Sequence, residues 1–535
     1  MKKRHLATYA VLVLVVTVTV AAFAADDKRD NIMARLTTFS SVLQMVRDYY
    51  VEDVNSEELI DAAIRGLLLE LDPHSSYLDK ERFEGVTERH QGEYHGIGIH
   101  FDIIEGWLTV ISPIEGSPSD NLGLRAGDKI VRINGESARN ISNDEVFDKL
   151  RGPKGSKVNI SVRREGQDEL TEYEITRDKI PIFSVPYHFM VAPGVGYVRC
   201  TRFSKDTTDE LERALTDLEA QGMEKLILDL RDNSGGYLNQ AISVTDKFIE
   251  GGKILLHTKG RLASASQEYH STDEATHERF PLIVMISHGS ASASEIVSGA
   301  VQDWDRGLVV GETSFGKGLV QRQFKMRDGS GLLLTVARYY TPSGRLIQRE
   351  YTDDRHDYYA EGYRGTAEDD TTRPVFYTSQ GRKVLGGGGI TPDEKLEYTR
   401  LSAFGQRLAR ERIAFEFAGT YIADNVLTAG QFGGIEIYNN SFEVTQDILD
   451  LAYEYMAERE FEYTEEELES ELDYLKLSIK AEIAGHLWST RERYQVFIMA
   501  DDAVQQTIGL LPQAEMLASQ VPADGSAFQR TGTDN

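Results

Sequence analysis

The chain has 535 residues, more than one ordinary domain requires, so it can bury several hydrophobic cores. Its 58 basic side chains stand against 86 acidic ones, a formal charge of −28, and no long basic stripe with interleaved aromatics offsets this, which argues against unaided nucleic-acid binding. The only cysteine, Cys200, excludes an intramolecular disulfide; it lies in a strand-like segment and reads as a packed thiol.

At the N-terminus, Lys2, Lys3 and Arg4 precede an apolar run from about Leu6 to Ala25 that ends in Ala22-Phe23-Ala24 before Asp26. That is the pattern of an export signal. Residues 1–25 therefore read as a signal peptide or membrane anchor. Cleavage after Ala24, which the small-residue motif favours, would release a soluble protein, whereas retention would leave a helix just long enough to hold the chain at an inner membrane. The expected location is periplasmic or otherwise extracytoplasmic.

Residues 26–91 read as a helical region, with Leu36, Phe39, Val42, Leu43 and Val46 on one apolar face and Ile60, Ala63, Ile64 and Leu67 on a second. Such a region covers another domain or a partner subunit. His74 follows Asp72-Pro73 in a turn and reads as structural, and no ligands stand at metal spacing such as HExxH or CxxC. No cofactor is called for.

Over residues 92–177 the pattern changes to short strands with turn signals. Gly96-Ile97-Gly98-Ile99 leads into an alternating strand, Ala126-Gly127-Asp128 marks a turn, a helix is expected at 143–150 and a last strand at 158–162. Residues 178–400 alternate strands and helices, among them strands at 225–230, 282–286, 308–311 and 332–340, which argues a mostly parallel sheet with covering helices. Residues 353–372 are expected to be a mobile loop and 386–389 a flexible turn. From residue 401 to 535 the chain turns helical. Residues 441–480 carry thirteen acidic against three basic side chains, which reads as a solvated face, and the polar end from 522 reads as disordered.

The chemistry is carried by Gly289-Ser290-Ala291-Ser292-Ala293-Ser294-Glu295 and by Gly316-Lys317-Gly318 with Gln321. Ser292 sits where an apolar strand gives way to a helix beginning near Ala293, so the first amides of that helix suit a developing negative charge. A lysine ammonium has a reference pKa of about 10.4 and must be brought to roughly 7 to 8 before it can act as a base. Flanking glycines let backbone pack close to the lysine, and a neutral amide oxygen at Gln321 can orient the amine without stabilising its charged form as a carboxylate would. Gly235-Gly236, at a strand-to-helix turn, permit unusual backbone angles and close approach of a ligand.

These segments resemble the carboxyl-terminal processing peptidases, the tail-specific serine proteases of family S41. The lysine 25 residues after Ser292 (317 − 292) and the glutamine four beyond it match that family. So do Leu228-Asp229-Leu230-Arg231-Asp232-Asn233-Ser234-Gly235-Gly236, Tyr340-Thr341-Pro342-Ser343-Gly344-Arg345, Gly389-Ile390-Thr391-Pro392-Asp393 and Leu71-Asp72-Pro73-His74-Ser75-Ser76-Tyr77. The resemblance implies Ser292 as nucleophile, Lys317 as general base, Gln321 as the group that positions it, and an oxyanion hole of backbone amides from Gly235, Gly236 and Ala293. Ser290 and Ser294 are then the wrong serines. One departure is visible: Ser234 stands where the family commonly has proline.

The implied architecture is a ClpP/crotonase-like α/β protease core, a permuted PDZ domain at 92–177, and helical N- and C-terminal regions. Gly96, Ile97, Gly98 and Ile99 would bind a peptide by β-augmentation, the peptide lying between that strand and the 143–150 helix with its terminal carboxylate in the glycine loop. The expected partners are protein or peptide substrates with accessible C-termini. A dimer through the terminal helical regions and an activating adaptor or lipoprotein are further candidates. The expected function is an exported serine endopeptidase with a PDZ domain that can gate the site; the alternative is a catalytically silent PDZ adaptor.

Overall fold

Lys225–Asp229, Leu282–Ile286 and Leu308–Gly311 are nearly unbroken runs of leucine, isoleucine and valine, the composition of strands buried on both faces. The computed structural model, which describes residues 31–273, 277, 280–352, 354–364 and 372–519, makes them neighbours at the centre of a six-stranded sheet. Its order is Tyr187–Ala192, Val195–Arg199, Lys225–Asp229, Leu282–Ile286, Leu308–Gly311, Glu394–Lys395, and all pairings but the first are parallel. Leu282, Val284 and Ile286 point to a core shared with helices Thr207–Ala220, Leu238–Asp246 and Ala293–Asp303. Ile283 and Met285 point the other way, against Ile498, Val504, Leu511 and Ala514 of the last helices, Thr490–Met499, Asp502–Gly509 and Leu511–Ser519.

Residues 92–177 form a separate antiparallel sheet around their own core of Ile97, Ile99, Leu108, Ile130, Val146 and Leu150. The helix there is Asn143–Leu150, started by a capping box between Ser142 and Glu145. Two strands, Glu93–Gly96 and Asp178–Pro181, pair as a ribbon where this sheet joins the rest. The helices from Ala403–Arg410 to Leu472–Leu487 enclose a third core containing Phe404, Phe417, Leu449 and Ile479.

A second unit consists of residues 31–79 with 323–334. It holds a helix over 31–49, the helix Ser56–Leu69 capped by Asn55, and the strand Ser76–Leu78 paired antiparallel to residues 331–333. Asp72 accepts from the N–H groups of His74 and Ser75, which makes this a structural turn. The expected leader and polar C-terminal end lie outside the described residues; among the described ones no helix is long and apolar enough to cross a membrane.

Three expectations need correction. The strand Gly331–Tyr340 does not join the parallel sheet: its residues 337–340 pair antiparallel with Ile254–Gly260, which pairs with Glu268–His270. Ala337 and Tyr339 are buried while Arg338 is exposed, an alternation that suits a sheet with one wet face. The 353–372 stretch contains the helix Arg355–Arg364, held by Tyr358 against the guanidinium of Arg349 and the ring of Phe315. Residues 386–389 are a packed turn. A Cβ on Gly389 would come within 2.3 Å of the Ser314 carbonyl oxygen, so glycine is needed there for close approach.

Cys200 is buried, and burial pushes its thiol up to about 12, as befits an inert packed side chain. Its neighbour across the sheet, Asp229, is also fully buried. Burial raises the Asp229 carboxyl, but the guanidiniums of Arg199 and Arg231 outweigh that and hold it well below the carboxylate range. Asp229→Asn leaves the Arg199 guanidinium without its carboxylate and Arg231 with Asp501 alone, and is expected to cost about 3–5 kcal/mol in chemical denaturation at neutral pH. Because the folded pKa is depressed, the native contribution is present above an unfolded value of about 3.9 and fades below it, so the gap between variant and native protein should narrow in acid.

Candidate active site

Three adjacent parallel strands deliver the three predicted catalytic segments to one edge of the sheet, the carboxyl ends where open α/β folds place their sites. Lys225–Asp229 leads to Gly235-Gly236, Leu282–Ile286 leads to Ser292, and Leu308–Gly311 leads to the loop carrying Lys317. Serines sew the first two loops together. Ser290 Oγ donates to the Leu230 carbonyl at 2.7 Å, Ser294 Oγ to the Asn233 carbonyl at 2.8 Å, and Ser287 Oγ to Asp232 at 2.9 Å. Ser290 and Ser294 are fully buried and committed to structure. Ser292 is half-buried and has φ +55°, ψ −108°, a strained conformation for a non-glycine residue that turns the chain sharply into the helix Ala293–Asp303.

Two buried side chains hold this elbow against the lysine loop. One carboxylate oxygen of Glu295, Oε2, accepts from the N–H of Ser292 at 2.7 Å and of Lys317 at 2.9 Å. The two nitrogens therefore lie no more than 5.6 Å apart (2.7 plus 2.9). The other oxygen accepts from the Gly316 N–H at 2.8 Å and the Ser314 hydroxyl at 2.5 Å. On the carbonyl side, the Tyr339 hydroxyl lies 3.0 Å from the Ser292 oxygen and 2.9 Å from that of Lys317. Burial, then the Glu295 charge, pushes the Tyr339 hydroxyl well above its usual range, so it keeps its proton. Burial likewise raises the Glu295 carboxyl, and the bonds from Ser314, Lys317, Ser292 and Gly316 oppose that rise.

The Lys317 amine donates to Gln321 Oε1 at 2.7 Å, the contact expected of a positioning amide. The His90 ring lies tilted against Tyr237, the ring centroids 5.0 Å apart. Burial, then the charges of Arg89 and Lys317, keeps it below its ordinary value and hence neutral at pH 7. Of the three expected oxyanion donors, the Gly235 N–H is already engaged by Asn233 Oδ1 at 2.9 Å. The N–H groups of Gly236 and Ala293 donate to no described residue. Gly235 instead supplies space: a Cβ there would come within 2.9 Å of both the Ala291 carbonyl oxygen and Ser292 Cβ. Glu295 and Tyr339 escaped the sequence reading. Glu295 stands at the Ser-x-x-Glu spacing of a helix start, which could have flagged it; nothing local marks Tyr339.

In the 92–177 domain, Ile97 and Gly98 donate their N–H groups to no described residue, while their carbonyls are held by Ser119, Ile114 and Ser117. The next strand, Ile99–Ile104, pairs with Trp107–Pro113 and is the edge of its sheet. Gly98 has φ +80°, and a Cβ there would overlap Ser117. Phe101 on the strand and Phe147 on the helix face one another with ring centroids 5.5 Å apart.

Four family models match the chain: peptidase family S41 over residues 194–356, a PDZ domain over 109–164, the activating protease CtpB N-terminal domain over 7–82, and a family of unknown function over 404–489. The carboxy-terminal-processing protease of Bartonella bacilliformis is 37% identical over 335 residues, covering 62% of this chain and 76% of that one. The carboxy-terminal processing proteases CtpA and CtpB of Bacillus subtilis are 32% and 34% identical, each over 62% of this chain and over 69% and 68% of their own lengths. Among solved structures, a photosystem II D1 C-terminal processing protease aligns with a TM-score of 0.35 at 26% identity, over 67% of this chain and 92% of that one.

Replacing Glu295 by glutamine sets an NH2 group against main-chain donors and orphans at least one of them. The variant is expected to lose about 1–3 kcal/mol of stability in chemical denaturation, while Tyr339→Phe, which removes one shared hydroxyl, should lose about 0.5–1.5 kcal/mol.

Proposed function

The chain belongs to peptidase family S41 as a carboxyl-terminal processing serine protease with a PDZ domain, and from that premise we propose that it cleaves peptide bonds with Ser292 as nucleophile and Lys317 as general base. The observation that carries this reading is the Glu295 carboxylate oxygen shared by the N–H groups of Ser292 and Lys317, which supports a hydroxyl and an amine working together. In its neutral form the Lys317 amine takes the Ser292 proton as Oγ attacks the scissile carbonyl. The N–H groups of Gly236 and Ala293 receive the oxyanion, the protonated amine returns its proton to the leaving nitrogen, and water hydrolyses the acyl-enzyme by the same route. Gln321 holds the amine without contributing negative charge.

Substrates are selected by their C-termini. The free N–H groups of Ile97 and Gly98 are the donors for a terminal carboxylate, and the edge strand Ile99–Ile104 takes the preceding residues as an added strand. The proposed place of action is outside the cytoplasm, following the leader-like residues 1–25.

Incubation of the purified protein with a loosely folded protein bearing an apolar C-terminus tests the dyad. Ser292→Ala and Lys317→Arg are each expected to abolish fragment production, the second because a guanidinium does not deprotonate in proteins. Equal cleavage by all three proteins would reject the reading. Gln321→Glu places an anion on the amine and favours its charged form. The acid limb of kcat/KM is then expected to move to higher pH by about one to three pH units.

A further inference from the structure

The helical region after residue 401, most of it matched only by a family of unknown function, touches both other parts of its unit. Its last helices pack on the protease sheet through Ile498, Val504 and Leu511. Its first helices face the PDZ domain. Arg412, beside the helix Ile413–Asn425, bonds through Nε to Asp102 at 3.0 Å, and Asp102 lies on the peptide-accepting edge strand itself. Arg459 reaches Glu105, in the turn that ends that strand. Glu416 is shared between the two sides: Lys129 of the PDZ sheet lies 3.8 Å from one oxygen and Arg459 2.6 Å from the other. Arg459 also donates to the Tyr455 hydroxyl at 2.7 Å. Beside these charges, Gly127 meets His486 so closely that a Cβ would lie 3.3 Å from the imidazole.

The pairs are not of equal weight. Asp102 with Arg412 and Glu105 with Arg459 are partly exposed, and such pairs contribute little singly. Glu416 is different. Its side chain is 8% exposed, and separating the domains would strip away the Lys129 cation while leaving Arg459 to serve a newly opened carboxylate. The contact therefore alternates sign across the boundary (Asp102 and Glu105 against Arg412 and Arg459, Lys129 against Glu416), which fixes one register and disfavours others.

We propose that the helical region is an intramolecular clamp whose partner is the PDZ domain. The domain is held at two points: at its root by the ribbon of Glu93–Gly96 with Asp178–Pro181, and at the far end of its edge strand by the clamp. A peptide added antiparallel to Ile99–Ile104, with its carboxylate at Ile97 and Gly98, runs toward Asp102 and the helices. The clamp thus stands where the upstream part of a bound C-terminus must pass.

Hydrogen exchange on the full chain tests this, with Ser292→Ala as background so that no self-cleavage intervenes. Asp102→Lys with Glu105→Lys reverses charge on the PDZ side only, and Arg412→Glu with Arg459→Glu reverses it on the helical side only. The first should speed exchange in Ile413–Asn425 and the second in Ile99–Ile104, each by about tenfold, as expected when a docked surface is released. Exchange in the core strand Lys225–Asp229 should not change. Local misfolding of a mutated face cannot mimic a response on the opposite, unmutated face. If either reversal leaves the opposite face within twofold of the background, there is no clamp.

Discussion

A single buried carboxylate organises the chemistry of this molecule. Glu295 accepts from three main-chain N–H groups and one hydroxyl, and those donors come from both the elbow at Ser292 and the loop of Lys317. Ser292 alone costs about 1–3 kcal/mol for its positive φ, while a hydrogen bond to a charged acceptor contributes about 1.5–3 kcal/mol, so the bonds to Glu295 are sufficient to hold the strained elbow. Tyr339 completes the arrangement from the opposite side. The N–H groups of Ser292 and Lys317 meet Glu295 and their carbonyls meet Tyr339, so both residues are fixed in position and direction. Neither segment can move without breaking bonds to the other.

The Gly235-Gly236 turn is tied to the segment just ahead of the PDZ ribbon. Phe203 donates its N–H to the Gly235 carbonyl and accepts from Tyr237, so the glycine turn pairs with the segment at Phe203 as a short parallel bridge. A Cβ on Gly236 would fall 2.0 Å from the Phe203 oxygen, which leaves glycine as the only residue that permits this pairing. Two residues on, Lys205 donates to the carbonyl of His90, just ahead of the ribbon, and Ser204 packs beneath Gly92. The backbone that presents Gly236 is thus joined through the segment Phe203–Lys205 to the residues just ahead of the ribbon.

What the sequence revealed, and what it hid, follows from where each partner lies along the chain. The strand Leu282–Ile286 and the helix start at Ala293 were legible because an apolar run followed by apolar residues at helical spacing is a local signal. The helix Asn143–Leu150 was legible for the same reason. Tyr339 was not, because its place depends on a hydroxyl bond to the carbonyl of Ser292, 47 residues away. The helix Arg355–Arg364 has no apolar periodicity; it exists because Tyr358 finds Phe315 and Arg349, and Gly362 leaves room for the Phe315 ring. Arg459 was hidden by its surroundings, since a cation within an acidic run reads as part of a solvated face until Glu105 and Glu416 are brought beside it. Composition predicted the character of that face and missed Arg459.

The placement of charge around the lysine resolves a conflict inherent in such a site. A carboxylate close to an amine favours the ammonium and would disable a base, yet the loops need an ionisable acceptor strong enough to hold several N–H groups. Here the two needs are met by different residues. Glu295 spends both oxygens on Ser292, Lys317, Gly316 and Ser314 through N–H and hydroxyl donors, whereas the amine of Lys317 meets the neutral amide of Gln321. The same glutamate therefore anchors the lysine through its backbone N–H. His90, kept neutral by burial, adds no charge that would have to be balanced by a further carboxylate. The proposed base is thus held by its main chain while its amine meets a neutral amide.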